Sequence, residues 1–344
     1  MPLSVVILAA GKGTRMKSRL PKVLHPIAGR PMLQHVLHTA RQLEPTALAV
    51  VVGAGDDVRA ALNGEPDRPR PHVVVQAEQR GTGHAVAVAR DTVAGRAETV
   101  LVLYGDTPLL TAETLRRLAE THEREGATIT LLTTRIADPA LRPNGRVVRD
   151  AQGAIVGIVE APEATPEQRE IDECNMGIYA FRDDWLWPAL ERIQPSAVKG
   201  EIYLTALIGQ AIAAGQRVSS VETADTSETL GVDTRTLLAE AEAVLRRRLA
   251  RFWQTHGVTI VDPNTTYIDV GVSIGPDTAV FPSTHLQGQT VIGAGCRVGP
   301  NAIVRNARLG DGCQVEMAVV DGVEVAAQAV VGPFVHLTPT APPS

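Results

Sequence analysis

The chain has 344 residues, 21% of them charged, and its formal net charge of -5 excludes the basic surplus typical of nucleic-acid-binding proteins. This length is sufficient for two domains, each with its own core. The 3 cysteines, Cys174, Cys296 and Cys313, lack CxxC spacing, which favours a reducing compartment over a disulfide framework. The sequence has no apolar run of membrane-spanning length, and its start lacks the basic segment of a signal peptide. We therefore expect a cytoplasmic protein that binds neither nucleic acid nor membrane.

The first predicted element is a strand, Ser4–Leu8, whose unbroken aliphatic run indicates burial on both faces. The turn AAGKGTRM follows at 9–16, and a further basic residue stands at Lys22. Glycines allow a backbone to approach a ligand closely, and basic side chains neutralise phosphates. The turn is therefore a candidate phosphate loop. It matches neither the dinucleotide-binding fingerprint nor the Walker A loop, and an ordinary tight turn is the alternative.

Helices and strands then alternate along the chain. A helix is predicted over Pro31–Leu43, and strands are predicted at Ala47–Val52, Val73–Val75 and Thr99–Tyr104. Polar clusters follow these strands, so they should meet at the carboxyl edge of an open, mostly parallel sheet, where ligands bind. The cluster after the last of these strands contains Asp106, which is either a Mg²⁺ ligand or a turn residue.

Shorter strands are predicted at Arg146–Arg149, Ile155–Val159 and Asn175–Phe181. They break the strict alternation of strand and helix, which indicates an antiparallel addition around a substrate lid. Glu160 and Asn175 stand at the ends of these runs, where they are either site residues or solvated loop positions.

The last third begins with a long helix predicted over Thr234–Trp253, in which Arg246–Arg248 form a solvated face or a basic patch facing the site. Beyond this helix, aliphatic residues recur every six positions. A hexapeptide period indicates a parallel β-helix, in which each coil stacks its aliphatic residues on the next coil. The repeat residues are Ile268, Ile274, Val280, Leu286, Ile292, Val298 and Val304, then Leu309 and Val315 after a one-residue deletion, and Val325, Val331 and Leu337 after a further shift.

Four motifs occur in order along the first part of the chain. They are LAAGKGTRM at 8–16, LPKVL at 20–24, QAEQ with GTGHA at 76–85, and YGD at 104–106. Together they resemble the nucleotidyltransferase domain of the bacterial N-acetylglucosamine-1-phosphate uridyltransferase family. The first two motifs occur broadly among sugar-1-phosphate nucleotidyltransferases, whereas the last two are narrower. The resemblance implies a Rossmann-like α/β domain with a mostly parallel sheet, followed by a short left-handed parallel β-helix.

The resemblance also implies an activity, namely Mg²⁺-dependent transfer of UMP from UTP to N-acetylglucosamine-1-phosphate, which yields the cell-envelope precursor UDP-N-acetylglucosamine and pyrophosphate. Arg15 and Lys22 would be catalytic by steadying charge at the α-phosphorus, and Asp106 and Asp233 would hold Mg²⁺. The implied substrate-binding residues are Leu8, Ala9, Ala10, Gly11, Gln76, Gly81, Thr82, Tyr104 and Gly105 on the nucleotide side, and Gly145, Glu160 and Asn175 on the sugar side. The alternatives are transfer with another sugar-1-phosphate or NTP, and a non-catalytic sugar-nucleotide-binding relative.

Three positions depart from the family pattern. Asp233 stands where the family usually has an asparagine; an aspartate ligates Mg²⁺ at least as well, and a helix N-cap is the alternative role. The loop at 142–146 reads RPNGR and lacks the family's tyrosine, so the resemblance leaves the preferred sugar open. The stretch Tyr203–Ala206 ends in alanine where the family has aspartate, and we assign no consequence to this difference.

The C-terminal part carries two further expectations. In the family the β-helix drives trimer formation and, further along, holds a second site that acetylates glucosamine-1-phosphate. Thr338 stands where an arginine of that site is expected, and the 344 residues do not include its later positions, so we expect no acetyltransferase activity. The predicted domains are a nucleotidyltransferase domain (1–230), a linker helix (231–255), a truncated β-helix (256–338) and a tail (339–344).

Overall fold

A computed structural model describes residues 2–55, 57–63, 70–137, 144–161, 163–196 and 200–339. By its internal contacts the chain divides into two units. Unit 1 comprises Met1–His25 and Met32–Leu237, and unit 2 comprises Pro26–Pro31 and Leu238–Ser344.

The first part of the chain contains strands and helices in alternation. The strands are β1 (Leu3–Ala9), β2 (Pro26–Ile27), β3 (Arg30–Pro31), β4 (Ala47–Val52), β5 (His72–Val75), β6 (Thr99–Tyr104), β7 (Ile129–Arg135), β8 (Arg146–Arg149), β9 (Ile155–Val159), β10 (Glu173–Arg182) and β11 (Val218–Glu222). The helices are α1 (Met32–Arg41), α2 (Asp57–Asn63), α3 (Thr82–Ala87), α4 (Arg90–Val93), α5 (Ala112–Arg124), α6 (Pro166–Arg169), α7 (Asp183–Glu191), α8 (Ala206–Ala213) and α9 (Arg235–Thr255). Short 3-10 turns lie at Thr14–Met16, Lys22–Leu24 and Thr226–Thr229.

Unit 1 is built on a sheet in which β1 is central. Along the sheet the order is β11-β7-β10-β6-β1-β4-β5, with β8 joined to β10 and β9 joined to β8. Strand β1 pairs in parallel with β4 on one side and β6 on the other, whereas β10 runs antiparallel between β6 and β7. The chain thus leaves β1 in one direction and returns at β6 on its other side. This reversal creates a crevice at the carboxyl ends of the two strands.

Both faces of this sheet are covered, as the unbroken apolar run of β1 predicts. Alternate residues of a strand point to opposite faces. Val6 and Leu8 accordingly belong to one buried apolar cluster, and Val5 and Ile7 belong to the other. Burial on both sides explains why β1 carries hydrophobic residues at every position rather than at every second one.

Several predicted boundaries shift slightly. Helix α1 begins at Met32 rather than at Pro31, because Pro31 pairs with Pro26 in the small β2–β3 hairpin of unit 2. The predicted antiparallel addition is present, since β8 pairs antiparallel with both β9 and β10. The sequence analysis did not identify β7 and β11, which pair in parallel beside β10.

Unit 2 contains the β-helix, whose coils each contribute short strands to three parallel sheets. Its strands are β12 (Thr259–Ile260), β13 (Tyr267–Ile268), β14 (Ser273–Ile274), β15 (Ala279–Val280), β16 (His285–Gln287), β17 (Val291–Ile292), β18 (Arg297–Val298), β19 (Ile303–Arg305), β20 (Arg308–Leu309), β21 (Gln314–Val315), β22 (Val319–Asp321), β23 (Glu324–Val325), β24 (Val330–Val331) and β25 (His336–Leu337). Each strand pairs with the strand three further along, as in β12-β15-β18-β21-β24. The predicted fold class is confirmed.

The predicted repeat residues form the core of the β-helix. Val280, Val298 and Val315 occupy paired positions in successive coils and are fully buried. Val320, which the sequence analysis did not identify, fills the gap between Val315 and Val325. Two successive five-residue spacings therefore account for the further shift of the repeat.

Helix α9 spans the predicted linker. Arg246 is only partly exposed, because its guanidinium lies 4.4 Å from the centroid of the Tyr267 ring, a cation–π arrangement. The expectation that Arg246–Arg248 form one solvated face is therefore wrong for Arg246, whereas Arg247 is exposed. Among the described residues, no helix combines the length and apolarity needed to cross a bilayer.

Candidate active site

A cavity of about 340 Å³ lies in unit 1 at the edge where β1, β5 and β6 end. It brings together ten of the predicted site residues from five separate chain segments. The lining consists of Leu8, Ala9, Ala10, Gly11, Lys22, Val23, Gln76, Gln79, Gly81, Thr82, Ala85, Tyr104, Asp106 and Glu201. Gly105 lies at the same edge, where its backbone N–H donates to the carbonyl of Leu8 over 2.9 Å.

The glycine turn after β1 positions the two predicted catalytic cations. Gly13 has a φ of +60°, and a β-carbon there would lie 2.5 Å from Cβ of Lys22, so no other residue fits without displacement. This close approach holds the turn Thr14–Met16, with Arg15 in its middle, against the turn that begins at Lys22.

Each of these cations is paired with a carboxylate. Lys22 Nζ donates a hydrogen bond to Oδ2 of Asp106, and both side chains are largely buried. Arg15 Nη2 lies 2.5 Å from Oδ2 of Asp233, with the arginine side chain mostly exposed. The backbone N–H of Val232 donates to the carbonyl of Asp106 over 2.8 Å, so the two predicted metal ligands stand on neighbouring backbone segments.

Arg235 holds the Asp233 segment beside the glycine turn. Its Nε donates to the carbonyl of Met16 over 3.2 Å, and its Nη1 lies 3.2 Å from Nδ1 of His25. Burial, and then the charge of Arg235, lower the pKa of His25, so the imidazole is neutral and accepts this bond at neutral pH. The segment that carries Asp233 is thereby tied to the turn that carries Arg15.

The cavity wall beyond β5 is formed by a tight turn. Gln76 is 3% exposed, and its Nε2 donates to the carbonyl of Gly81 over 3.2 Å and lies 3.0 Å from Nδ1 of His84. Gly81 has a φ of +106°, and a β-carbon there would come within 2.6 Å of the carbonyl oxygen of Ile202. The turn therefore requires glycine both for its backbone conformation and for the approach of Ile202.

Tyr104, at the end of β6, is a buried neutral phenol. Its hydroxyl is hydrogen-bonded to Thr82, whose Oγ1 also accepts from the backbone N–H of Leu204 over 3.0 Å. Burial, and then the charge of Asp106, raise the pKa of Tyr104 well above its ordinary value. Tyr104 therefore contributes a hydroxyl donor rather than an anion to a site that is expected to hold phosphates.

The three predicted sugar-side residues do not line the cavity, but the structure brings them together. The backbone N–H of Asn175 donates to the carbonyl of Gly145 over 2.8 Å. Glu160 Oε2 lies 3.6 Å from the position of a β-carbon on Gly145. Asn175 begins a bulge in β10, and at Gly177 a β-carbon would come within 3.0 Å of the Tyr104 ring, so this cluster adjoins the cavity wall. The altered residues 142–143 lie outside the described residues.

Three residues near the cavity were not assigned from the sequence. Gln79 belongs to the QAEQ motif, and its Nε2 donates to the carbonyl of Ala10, which links the β5 and β1 turns. Glu201 lines the cavity opposite the cations. Thr205 Oγ1 donates to Oε1 of Glu160 over 2.9 Å, so the YLTA stretch contacts the sugar-side cluster. Only Gln79 stood within a motif, and no local pattern marks the other two residues.

Two family models match the chain. The model of the MobA-like NTP transferase domain matches residues 5–170, which include the glycine turn, Gln76 and Asp106. The model of the bacterial transferase hexapeptide (six repeats) matches residues 271–306, within the β-helix.

Curated relatives match almost the whole chain. The bifunctional protein GlmU of Streptomyces avermitilis is 46% identical over 340 residues, which cover 98% of this chain and 70% of the relative. The bifunctional protein GlmU of Halalkalibacterium halodurans is 42% identical, covering 97% of the chain and 72% of the relative. That of Enterococcus faecalis is 41% identical, covering 98% and 72%.

Proposed function

The chain belongs to the family of bifunctional GlmU proteins and is a sugar-phosphate nucleotidyltransferase, and from this premise we propose that it transfers UMP from UTP to N-acetylglucosamine-1-phosphate. The products are UDP-N-acetylglucosamine and pyrophosphate. The observation that carries this proposal is the cavity at the β1 and β6 ends, where two cations and two carboxylates converge on the glycine turn.

The nucleotide occupies the cavity wall formed by the β1 and β5 turns. The backbone of Leu8–Gly11 and the amide of Gln76 contact the base and ribose, together with Gly81 and Thr82. A cavity of about 340 Å³ suits a ligand of nucleotide size, since ligand clefts are typically about 300–1,000 Å³. The carboxyl-edge location fits the general rule for ligands on open parallel sheets.

The reaction is an in-line displacement at the α-phosphorus of UTP. A phosphate oxygen of the sugar phosphate forms the new P–O bond, the bond to the β-phosphate breaks, and pyrophosphate leaves with its electron pair. Arg15 and Lys22 neutralise the charge that spreads over the phosphoryl oxygens in the transition state. Such positioning and charge neutralisation account for most catalysis of phosphoryl transfer, without a protein nucleophile.

Asp106 and Asp233 are the residues that would hold Mg²⁺. Carboxylate oxygens are hard ligands that suit this cation, and the Val232–Asp106 backbone bond keeps the two residues on adjacent segments. In the ligand-free chain each carboxylate is balanced by a basic side chain, which phosphates of the substrate would release. When bound, the ion supplies further charge neutralisation at the phosphates.

The sugar phosphate binds beside Tyr104, with Gly145, Glu160 and Asn175 on the sugar. The β-helix assembles three copies of the chain, as its resemblance to the family implies. The 344 residues carry no acetyltransferase activity, because Thr338 stands where the family resemblance expects an arginine of that site.

A substrate panel tests the proposal. Purified protein is assayed for pyrophosphate release with each NTP and a set of sugar-1-phosphates, in the presence of Mg²⁺. We expect the highest kcat/KM with UTP and N-acetylglucosamine-1-phosphate, and a loss of about 10²–10³-fold in kcat for Arg15→Ala or Asp106→Ala with unchanged circular dichroism. A higher kcat/KM with another pair would establish another nucleotidyltransferase, and no turnover with any pair would leave a binding protein.

A further inference from the structure

The side-chain amide of Gln76 is held from two sides. Its Nε2 is within hydrogen-bond distance of the Gly81 carbonyl, at 3.2 Å, and of Nδ1 of His84, at 3.0 Å. The residue is 3% exposed and lines the cavity. An amide nitrogen has two hydrogens, and these two contacts account for both of them.

These contacts determine the orientation of both side chains. The Gly81 carbonyl can only accept, so the atom that faces it must be the amide nitrogen of Gln76 rather than its oxygen. Since the second N–H points at His84, Nδ1 of His84 must present a lone pair, and the ring proton must stand on its Nε2. Neither bond uses Oε1 of Gln76, which remains as a hydrogen-bond acceptor for a group in the cavity.

We propose that His84 is a positioning residue for base selection, which holds the Gln76 amide with its carbonyl oxygen as the acceptor presented to the nucleobase. This inference deepens the proposed function and rests on it, because it takes the cavity to bind a pyrimidine nucleotide. Uracil has an N3–H group that donates to such an acceptor. Cytosine has an unprotonated N3, which would face the carbonyl oxygen as a second acceptor.

The contribution of His84 follows from the cost of rotating the amide. With His84 present, a rotation that presented NH₂ to cytosine would place Oε1 against two acceptors, the Gly81 carbonyl and Nδ1. Without the imidazole, the rotation would oppose only the Gly81 carbonyl. One neutral hydrogen bond then separates the two cases, which corresponds to roughly five- to tenfold in base selectivity.

The experiment measures kcat/KM of the full chain for UTP, CTP and dTTP with the same sugar phosphate. We expect His84→Leu to lower the UTP-to-CTP ratio by roughly five- to tenfold. The UTP-to-dTTP ratio should stay unchanged, because thymine also carries an N3–H donor. His84→Asn can place an amide oxygen near the position of Nδ1 and should keep the UTP-to-CTP ratio close to that of the wild type.

His122→Leu is the matched control. His122 is buried, and its Nδ1 lies 3.0 Å from Oγ1 of Thr130, so this variant also removes a bond from an imidazole Nδ1. His122 is not among the residues that line the cavity. The control should lower the thermal midpoint and leave the UTP-to-CTP ratio unchanged. A folded His84→Leu protein with the wild-type ratio would overturn the proposal.

A second measurement requires no variant to fold. Nitrogen-15 NMR of the imidazoles in the wild-type protein, assigned with the His84→Asn spectrum, should show His84 with its proton on Nε2 and a hydrogen-bonded lone pair on Nδ1. A proton on Nδ1 would overturn the proposal whatever the variants do. Wild-type protein that prefers neither UTP nor dTTP over CTP would instead contradict the proposed function, while the tautomer would still judge the role of His84.

Discussion

Asp233 differs from the family pattern and shows how one residue can serve two roles. In the ligand-free chain it pairs with Arg15, whose side chain is 67% exposed. An ion pair that is this exposed contributes little to stability, because solvent screens it. The value of an oxygen-bearing side chain at this position is therefore expected to lie in metal binding beside Asp106.

Substitution of Asp233 tests this assignment. Asp233→Asn keeps an oxygen ligand and should retain turnover within a few-fold of the wild type. Asp233→Ala removes the ligand and should lower kcat by roughly 100-fold and raise the Mg²⁺ concentration needed for half-maximal rate. Pyrophosphate release measured across a Mg²⁺ titration checks both variants. Equal rates for the alanine and asparagine variants would assign Asp233 to helix capping instead.

His122 makes unit 1 sensitive to acid. It is 3% exposed, and burial, followed by the charge of Arg182, lowers its pKa to about 4 from an ordinary 6.5. The unfolded chain thus binds a proton that the folded chain refuses between these two values. The stability that neutral His122 provides is complete above pH 6.5 and is lost as the pH falls towards 4.

We expect the free energy of unfolding to fall between pH 7 and pH 4, with about 3 kcal/mol of the decrease due to His122. His122→Asn, which cannot take up this proton, should show a correspondingly smaller decrease. Urea denaturation at several pH values measures both proteins. Parallel pH profiles for the two proteins would show that His122 does not titrate on unfolding.

At the scale of elements, the β-helix is stabilised by residues that the six-residue period identifies. The two strands β18 and β24 belong to the same sheet and provide a direct comparison. Val298 in β18 is 0% exposed, whereas Val330 in β24 is 71% exposed. The same substitution at the two positions therefore separates the effect of core packing from that of composition.

Val298→Ala should lower the free energy of unfolding of unit 2 by about 2–3 kcal/mol, since it removes buried methyl groups and leaves a cavity. Val330→Ala should change it by less than about 0.5 kcal/mol. Chemical denaturation followed by circular dichroism provides the measurement. A similar loss in both variants would mean that Val330 is covered in the assembled protein.

The sheet of unit 1 was only partly predictable at this scale. Strands β4 and β6 have unbroken apolar sequences and were identified with their boundaries. Strand β11 has the sequence VSSVE, which carries neither an apolar run nor strict alternation. It exists because the backbone groups of β7 require a partner at that edge, and such a requirement comes from the sheet and not from local preference.

At the scale of the whole molecule, the β-helix makes the oligomeric state a testable property. We expect three copies of the chain to associate, as in the family that it resembles. Light scattering coupled to size-exclusion chromatography should give three times the mass of one chain at micromolar concentrations. A monomer at all concentrations would show that the described coils of unit 2 do not suffice for assembly.

The sequence by itself determined the reaction class, the glycine turn and the repeat of unit 2, because each depends on residues that are neighbours along the chain. The turn requires Gly13 within a few residues of Arg15, and the six-residue period is visible without any partner strand. The tertiary structure alone decided which charges meet. Lys22 and Asp106 are 84 positions apart, and their pairing follows from the placement of β1 beside β6. The same holds for the contact of Asn175 with Gly145, because only the antiparallel insertion of β10 brings these segments together.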